Sequence, residues 1–264
     1  MHLLTDAIWE TGCVNLARSL DLSTRSVLTA GAAAVLAGAV ALSTGTIAGV
    51  LALVALAFAW GWPRLMSLPA PGGSSIVLGL AGLGTVLAVY ATPSAPWLRN
   101  VPLVLAMGVV LAFVNELLRS DDRPRLVESL TGTVAGVVVV VSTAGWLAIA
   151  KTSGGEPFVA MSAAALAIAS AVAAIPFYGW PSFGLTVLVG TGAGAIAARL
   201  LPGPGLAAGV VVGFVCGLLV ASVHMLLARV PSLRGVPGGL AASAAPIAIS
   251  GVLVYAVARL TMAS

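Results

Sequence analysis

Long apolar runs, separated by short segments rich in proline, glycine or charge, make up most of this chain. The stretch from Val27 to Trp62 contains no charged residue, and its 36 residues are enough for two helices that cross a membrane. Proline and glycine mark the turns between the later runs because they break helices. The pattern predicts nine membrane-spanning helices, over residues 27–43, 45–62, 75–92, 100–118, 129–150, 157–175, 182–199, 205–228 and 240–260.

Residues 1–26 carry charged side chains between apolar ones and come before the first long run. Trp9 lies among them, and tryptophan is common at the surface of a membrane. We predict an amphipathic helix or helical pair that lies on the cytoplasmic surface, and the alternative is a disordered tail. The predicted domains are a cytoplasmic amphipathic N-terminal segment over 1–26 and a transmembrane helical bundle over 27–264.

The composition excludes a water-soluble fold. Hydrophobic residues make up 60% of the 264 positions and charged residues only 8%, whereas soluble domains carry about 25% charged residues. The predicted fold class is an all-α polytopic membrane protein, with about nine transmembrane helices in a single bundle and an N-terminal amphipathic segment. Eleven arginines against one lysine, with much alanine, valine and glycine, indicate a GC-rich bacterial genome.

The basic residues predict the orientation of the chain in the membrane. If the N-terminus is cytoplasmic, eight arginines fall in cytoplasmic segments and four basic residues fall outside. An excess of arginine and lysine on the cytoplasmic side is the usual arrangement, so we expect a multi-pass protein of the plasma membrane with its N-terminus inside. The net charge of +4 is spread over loop ends, which favours contact with membrane lipids and not with nucleic acid.

Small residues recur at every fourth position in the eighth predicted span. Residues four apart lie on one face of a helix, so this glycine-zipper pattern gives a face almost without side chains. Within lipid, such a face lets another backbone approach closely. We expect it to pack against another helix, a second copy of the chain or another membrane protein. The positions are Gly205, Gly209, Gly213, Gly217 and Ala221.

The candidate binding residues are Glu116, Arg119, Arg123, Arg125 and His224. The three arginines suit a phosphate or lipid headgroup, and the alternative is a solvated loop that follows the positive-inside rule. Glu116 lies at the membrane end of the fourth span, where a carboxylate can reach water or pair with Arg119. His224 suits a proton relay or a headgroup ligand near the cytoplasmic surface, and the alternative is a hydrogen bond to a neighbouring helix.

The sequence contains no motif of a known catalytic or metal site. His2 and His224 are far apart and lack the spacing of a metal-binding pair, and Cys13 and Cys216 also lack metal-ligand spacing. There is no nucleophile elbow and no phosphate-binding Walker loop. We therefore expect no metal, no cofactor and no catalytic residue.

The stretch SVHMLLARVPSLRGVPGGLAASAAP, from Ser222 to Pro246, resembles the C-terminal motif of the phosphatidate cytidylyltransferase family. Ser222 corresponds to the serine of the family and Pro246 to a later proline. Pro237, Gly238 and Gly239 correspond to its glycine motif. The resemblance implies a membrane bundle that makes CDP-diacylglycerol from phosphatidate and CTP with a divalent metal. The histidine, the acidic residues and the Lys-Arg and Lys-Asp pairs of the family motif have no counterpart here, so no catalytic residue is transferred.

The sequence favours a non-enzymatic integral membrane protein: a permease-like protein, a lipid-handling protein or an accessory subunit of a membrane complex. The basis for this expectation is abundant small-residue packing surface without a catalytic cluster. The alternative is a membrane lipid-modifying transferase, similar to the cytidylyltransferases, with a site at the cytoplasmic face. That site would combine Glu116, the arginines of residues 119–125 and His224.

Overall fold

The computed structural model describes residues 22–120, 124–175, 179–227 and 235–262. Ten helical segments and no strand occur in these four ranges. Residues 1–21 of the predicted surface segment lie outside them, and so does Arg123. The predicted all-α class is confirmed for the part of the chain that the structure describes.

The helices are labelled in chain order. Those of the first half are α1 Leu22–Val40, α2 Thr44–Leu65, α3 Pro71–Tyr90, α4 Val101–Leu117 and α5 Leu126–Val141. Those of the second half are α6 Ala144–Ala150, α7 Gly155–Ala173, α8 Trp180–Leu200, α9 Leu206–Leu227 and α10 Val236–Met262. Only Ser142 and Thr143 separate α5 from α6, so these two helices form one interrupted span over Leu126–Ala150.

Each of the nine predicted spans overlaps one helix or, for residues 129–150, the α5–α6 pair. Within the described ranges, eight spans are long and apolar enough to cross a membrane, and α4 is a shorter apolar helix of 17 residues. The chain is therefore a multi-pass membrane protein by the length and composition of its helices. Helix α1 begins at Leu22, so residues 22–26 of the predicted N-terminal segment are helical.

Proline begins several of these helices. Pro71 is the first residue of α3, whereas the sequence predicted that this span begins at residue 75. Pro102 and Pro181 likewise lie in the first turn of α4 and of α8. Proline is tolerated there because the first N–H groups of a helix have no partner within the helix. A Pro-Gly-Gly sequence that resembles a loop is therefore the first turn of α3.

Helices α7 and α10 lie at the centre of the bundle. α10 packs against α1, α2, α6 and α9, and α7 packs against α1, α6, α8 and α9. Alanine is abundant on the buried faces of both helices, so their neighbours can approach closely. Trp146 of α6 is fully buried, and its indole N–H donates a hydrogen bond to the Ile247 carbonyl of α10 at 2.9 Å. This bond satisfies the indole nitrogen away from water.

The break between α5 and α6 lies against α10. A Cβ atom at Gly251 would collide with the carbonyl oxygen of Ser142, and one at Gly145 would collide with the carbonyl oxygen of Gly251. α10 also contains Pro246, which has no N–H to donate within the helix. The interrupted span and the proline-containing helix therefore meet backbone to backbone.

The glycine face of α9 packs against a glycine face of α8. A Cβ atom at Gly209 would meet the carbonyl oxygen of Gly194 at 2.5 Å, and one at Gly213 would collide with the carbonyl oxygen of Gly190. A Cβ atom at Gly217 would also lie within 3.0 Å of the α8 backbone. The face that the sequence assigned to an unspecified partner is thus occupied by α8 of the same chain.

The two ends of this glycine face have different surroundings. Ala221 is buried, as its neighbours on that face are. Gly205 comes before the first residue of α9, and a Cβ atom there would have nothing within 4 Å. The close helix contact therefore includes the three central glycines of the predicted set and does not include Gly205.

Candidate functional site

The candidate residues at the end of α4 form a buried ion pair. Glu116 is 4% exposed, and its carboxylate accepts hydrogen bonds from Arg119 Nη1 at 2.8 Å and from Ser129 Oγ of α5 at 2.5 Å. Each carboxylate oxygen therefore has a partner. Buried charges occur where they are paired, so these two contacts explain how an acid is held at the end of a membrane helix.

The polar contacts continue from Ser129 to α3. The Thr133 hydroxyl donates to the Ser129 carbonyl at 2.8 Å, and its oxygen lies 2.9 Å from the hydroxyl oxygen of Ser74. All three of these side chains are buried. Because the groups bond to one another across α3, α4 and α5, we interpret this hydrogen-bond network as structural: it holds the three helices together.

The arginines that were predicted to form one basic cluster bond to different acids. The side chain of Arg119 is 7% exposed and pairs with Glu116, whereas that of Arg125 is 50% exposed and pairs with Glu128. Arg125 Nη1 also donates to the Ser67 carbonyl at 3.1 Å. The third member, Arg123, is not among the residues that the structure describes. The two described guanidinium groups thus have separate positions and separate roles.

His224 lies on α9 beside α1. Its Nδ1 atom is 3.3 Å from the hydroxyl oxygen of Ser26. One turn further along α1, the Thr29 hydroxyl donates to the Ser243 carbonyl of α10 at 2.9 Å. His224 therefore has a hydrogen bond to a neighbouring helix, and it belongs to a polar contact region where α1 meets α9 and α10.

A small cavity, named here the His224 cavity, lies where α1, α7, α9 and α10 meet. Its volume is about 30 Å³. Ser170 of α7 lines it, and this side chain is 1% exposed with no hydrogen-bond partner for its hydroxyl among the described residues. The cavity is lined by Arg25, Ser26, Thr29, Ser170, Val220, Val223, His224, Leu227, Ala242 and Pro246. Arg25 and His224 are basic, and no acidic side chain belongs to this described lining.

A wider opening lies near the other end of α10. It consists of two adjoining pockets of about 230 Å³ and 280 Å³, both lined by Ser153 and Met262. We name it the Arg259 pocket, because Arg259 lines the first of the two together with Thr152 and Tyr255. Like the His224 cavity, this pocket has a basic side chain and hydroxyl groups in its wall.

Buried side chains of α10 lie between the His224 cavity and the Arg259 pocket. Pro246 lines the cavity and Ala258 lines the pocket, and this length of helix spans about 18 Å. Ser250 and Val254 lie between these two positions, and both are almost fully buried. In the described conformation, packed side chains therefore close the path along α10.

Glu116 and His224 belong to different helix contacts. α4 packs against α3 and α5, whereas α9 packs against α8, α7 and α10. Glu116 has its hydrogen bonds with Arg119 and Ser129, and His224 has its own with Ser26. The structure therefore places Glu116 and His224 in two separate contact regions.

Sequence reasoning found His224 but missed the side chains that surround it. Ser26 and Thr29 lie at the start of one apolar stretch and Ser170 lies in another, and a serine or threonine in such a position carries no motif. Arg25 lies just before the first predicted span, where a basic residue indicates topology and not a site. The available signal was weak: these residues share a site only because α1 and α7 pack against each other.

No metal-binding group emerges from the described residues, since no three histidine, cysteine, aspartate or glutamate side chains lie together there. Cys216 is buried, with its Sγ atom 3.8 Å from the Ser162 carbonyl oxygen. The resemblance to the phosphatidate cytidylyltransferases stays a prediction from the sequence. No family model, no curated protein and no solved structure matches this chain.

Proposed function

We propose that this chain is a non-enzymatic, permease-like membrane protein that moves a small solute between the His224 cavity and the Arg259 pocket. The observation that carries the proposal is that α10 lines both spaces, one near each of its ends. Membrane transport proteins place their sites among packed helices and open them to each side in turn. A shared central helix is the element that such a movement requires.

The backbone of the central helices supports this proposal. Transporter sites are often built at helices that are broken within the membrane. Here the α5–α6 span is interrupted at Ser142 and Thr143, and the break contacts α10 at Gly251, close to Pro246. At this break the backbones of the two spans meet directly, and the Trp146 indole of α6 also bonds to the Ile247 carbonyl, so a shift of α10 would break that hydrogen bond.

The proposed location is the plasma membrane, with the N-terminal side of α1 facing the cytoplasm. The support is the distribution of basic residues in the whole sequence, with eight on that side and four on the other. The His224 cavity then opens towards the cytoplasm and the Arg259 pocket towards the outside. Membrane lipids are the proposed partners of the exposed apolar faces.

Solute flux through reconstituted protein tests the proposal. Purified protein in liposomes is transferred into iso-osmotic sodium formate, sodium acetate or glycerol, and swelling is followed by light scattering. We expect at least one of these solutes to enter faster than it enters protein-free liposomes. Rates equal to those of protein-free liposomes for all three solutes would contradict the proposal.

A matched pair of cysteine variants shows whether the flux uses the Arg259 pocket. Both variants carry Cys13→Ser and Cys216→Ala, and one adds Ser153→Cys in the pocket while the other adds Ser94→Cys in the exposed α3–α4 loop. A bulky, charged thiol reagent should block the flux through the Ser153→Cys protein and leave that through the Ser94→Cys protein unchanged. Equal effects of the reagent on the two variants would show that the solute does not pass through the Arg259 pocket.

The alternative proposal, a lipid-modifying transferase, needs Glu116 and His224 to act at one site. The purified protein can be assayed with phosphatidate, CTP and Mg²⁺. Turnover that Glu116→Gln and His224→Ala each abolish, at an unchanged yield of folded protein, would establish the transferase and replace the permease proposal.

A further inference from the structure

We propose that the His224 cavity binds a carboxylate group, presented either by a small free acid or by the head of a fatty acid. This inference names the ligand class of the permease-like function proposed above and rests on that function for its role in transport. The binding itself follows from the residues that line the cavity.

The Ser170 hydroxyl is the first observation. Its side chain is buried to 1% exposure at the wall of the cavity, and its oxygen has no hydrogen-bond partner among the described residues. An unsatisfied buried hydroxyl is costly. Ser162, two turns earlier on the same helix, shows the usual solution, because its hydroxyl donates to the Phe158 carbonyl at 2.7 Å. Ser170 is therefore poised to bond a group inside the cavity.

The charge of the wall indicates the sign of that group. Arg25, which also interacts with another group, contributes a guanidinium group, His224 contributes an imidazole ring that can donate or accept a hydrogen bond, and no acidic side chain is among the described residues of the lining. Arginine bonds carboxylates through two parallel N–H groups. The attraction between opposite charges is also much stronger in a poorly hydrated site than in water. An anion is favoured here, and a cation is opposed.

The size and the remaining wall restrict the anion further. A volume of about 30 Å³ admits a group of a few atoms, whereas sites for whole drug-sized molecules measure about 300–1,000 Å³. Beyond the polar side chains, Val220, Val223 and Leu227 form an apolar wall. A carboxylate group fits this volume with its charge at Arg25, and only the first carbons of an attached alkyl chain would lie against the valines and leucine.

Binding of a matched series of ligands tests the inference. The protein in nanodiscs is titrated calorimetrically with sodium formate, decanoate, decanol and decyltrimethylammonium. We expect the carboxylates to bind and the alkyl ammonium ion not to bind. Binding of formate would identify a free acid as the ligand, and binding of decanoate alone would identify a lipid-type acid. Decanol or the ammonium ion binding as tightly as decanoate would overturn the inference.

Two serine variants of the same helix provide the structural control. Ser170→Ala should weaken carboxylate binding about tenfold, as expected for loss of one hydrogen bond to a charged group. Ser162→Ala should leave the affinity unchanged, because its hydroxyl bonds within its own helix. Equal affinities for the Ser170→Ala protein and the original protein would overturn the assignment of the ligand to this cavity.

The outcomes also separate this inference from the permease proposal. Carboxylate binding that is sensitive to Ser170→Ala, without any solute flux, would retain the site and contradict the permease. Flux of glycerol or of an acid whose rate is the same in the Ser170→Ala protein and in the presence of each ligand of the series would support the permease. It would contradict carboxylate binding in the His224 cavity.

Discussion

The Glu116 carboxylate accepts a hydrogen bond from the Ser129 hydroxyl across the contact between α4 and α5. Its other oxygen pairs with Arg119, whose side chain is also buried. α4 has few buried residues, namely Gly108, Ala112 and Glu116. This polar contact is therefore a principal attachment of α4 to the bundle, because the other two buried positions of the helix are small.

Loss of the Glu116 side chain should destabilise the protein strongly. In Glu116→Ala, the buried guanidinium of Arg119 loses its acid, and breaking such a pair costs about 3–5 kcal/mol. The matched control is Glu128→Ala, which removes the acid of an exposed pair with Arg125, also three residues apart, for a cost of about 0–1 kcal/mol. Thermal unfolding in detergent should give a clearly lower Tm for the first variant only, and equal values would show that burial does not strengthen the Glu116 pair.

Lys151 should stabilise the end of α3. Its ammonium donates to the carbonyl oxygens of Val89 at 3.1 Å, Tyr90 at 2.8 Å and Thr92 at 2.6 Å. It also lies 4.6 Å from the centre of the Trp97 ring. Positive charge is favoured at a helix C-terminus, where the last carbonyl groups lack helical partners.

We expect Lys151→Met to lower the stability by about 1.5–3 kcal/mol, the usual range for hydrogen bonds to a charged group. Arg199→Met removes an exposed basic residue near the end of α8 and serves as the control, with a loss below about 1 kcal/mol. Unfolding of both purified variants followed by tryptophan fluorescence gives the comparison. A Lys151→Met protein as stable as the Arg199→Met protein would contradict the role of the ammonium.

The stability cost of replacing a glycine of α8 by alanine should depend on whether that glycine faces α9. A Cβ atom at Gly194 would collide with the backbone of α9 at Gly209 and Gly213, whereas one at Gly192 would have nothing within 4 Å. Gly194→Ala should therefore cost about 1–3 kcal/mol through overpacking. Gly192→Ala should cost nothing, because alanine is the better helix former. Equal Tm values for the two variants would contradict the close contact.

The sequence was sufficient for the order and approximate position of the spans in the described ranges. The apolar length that a membrane requires decides most of the spans, and the glycine spacing of α9 indicated a close contact before its partner was known. The partner could not be predicted, because glycine spacing on one helix does not show which other helix it will pack against. The start of α3 was placed too late because the same Pro-Gly-Gly sequence occurs both in loops and in first helical turns.

The candidate site was predicted less well than the fold. His224 and Glu116 stood out as rare polar residues in apolar runs, but their neighbours depend on which helices meet. Ser170 resembles any other serine of an alanine-rich helix until α1 and α9 pack beside it. Charge at a loop end is equally ambiguous, since Arg25 follows the positive-inside rule and also lines a cavity.

Helix α4 has only 17 residues, which bears on whether it crosses the membrane. At 1.5 Å per residue it is about 26 Å long, against about 30 Å for the apolar part of a bilayer. Nine crossings, and hence termini on opposite sides, require α4 to span the membrane. Arg99, which is exposed just before its first turn, can extend to the surface with its long side chain, which makes the short length sufficient.

Single cysteines on both sides of α3 and α4 test this crossing in whole cells. The positions are exposed: Ser67 precedes α3, Ser94 lies between the two helices, and Ser120 follows α4. With Cys13 and Cys216 replaced, an impermeant thiol reagent should label Ser94→Cys in intact cells, and Ser67→Cys and Ser120→Cys only after permeabilisation. Labelling of Ser120→Cys in intact cells would show that α4 does not cross, and a complete reversal of the pattern would contradict the cytoplasmic N-terminus.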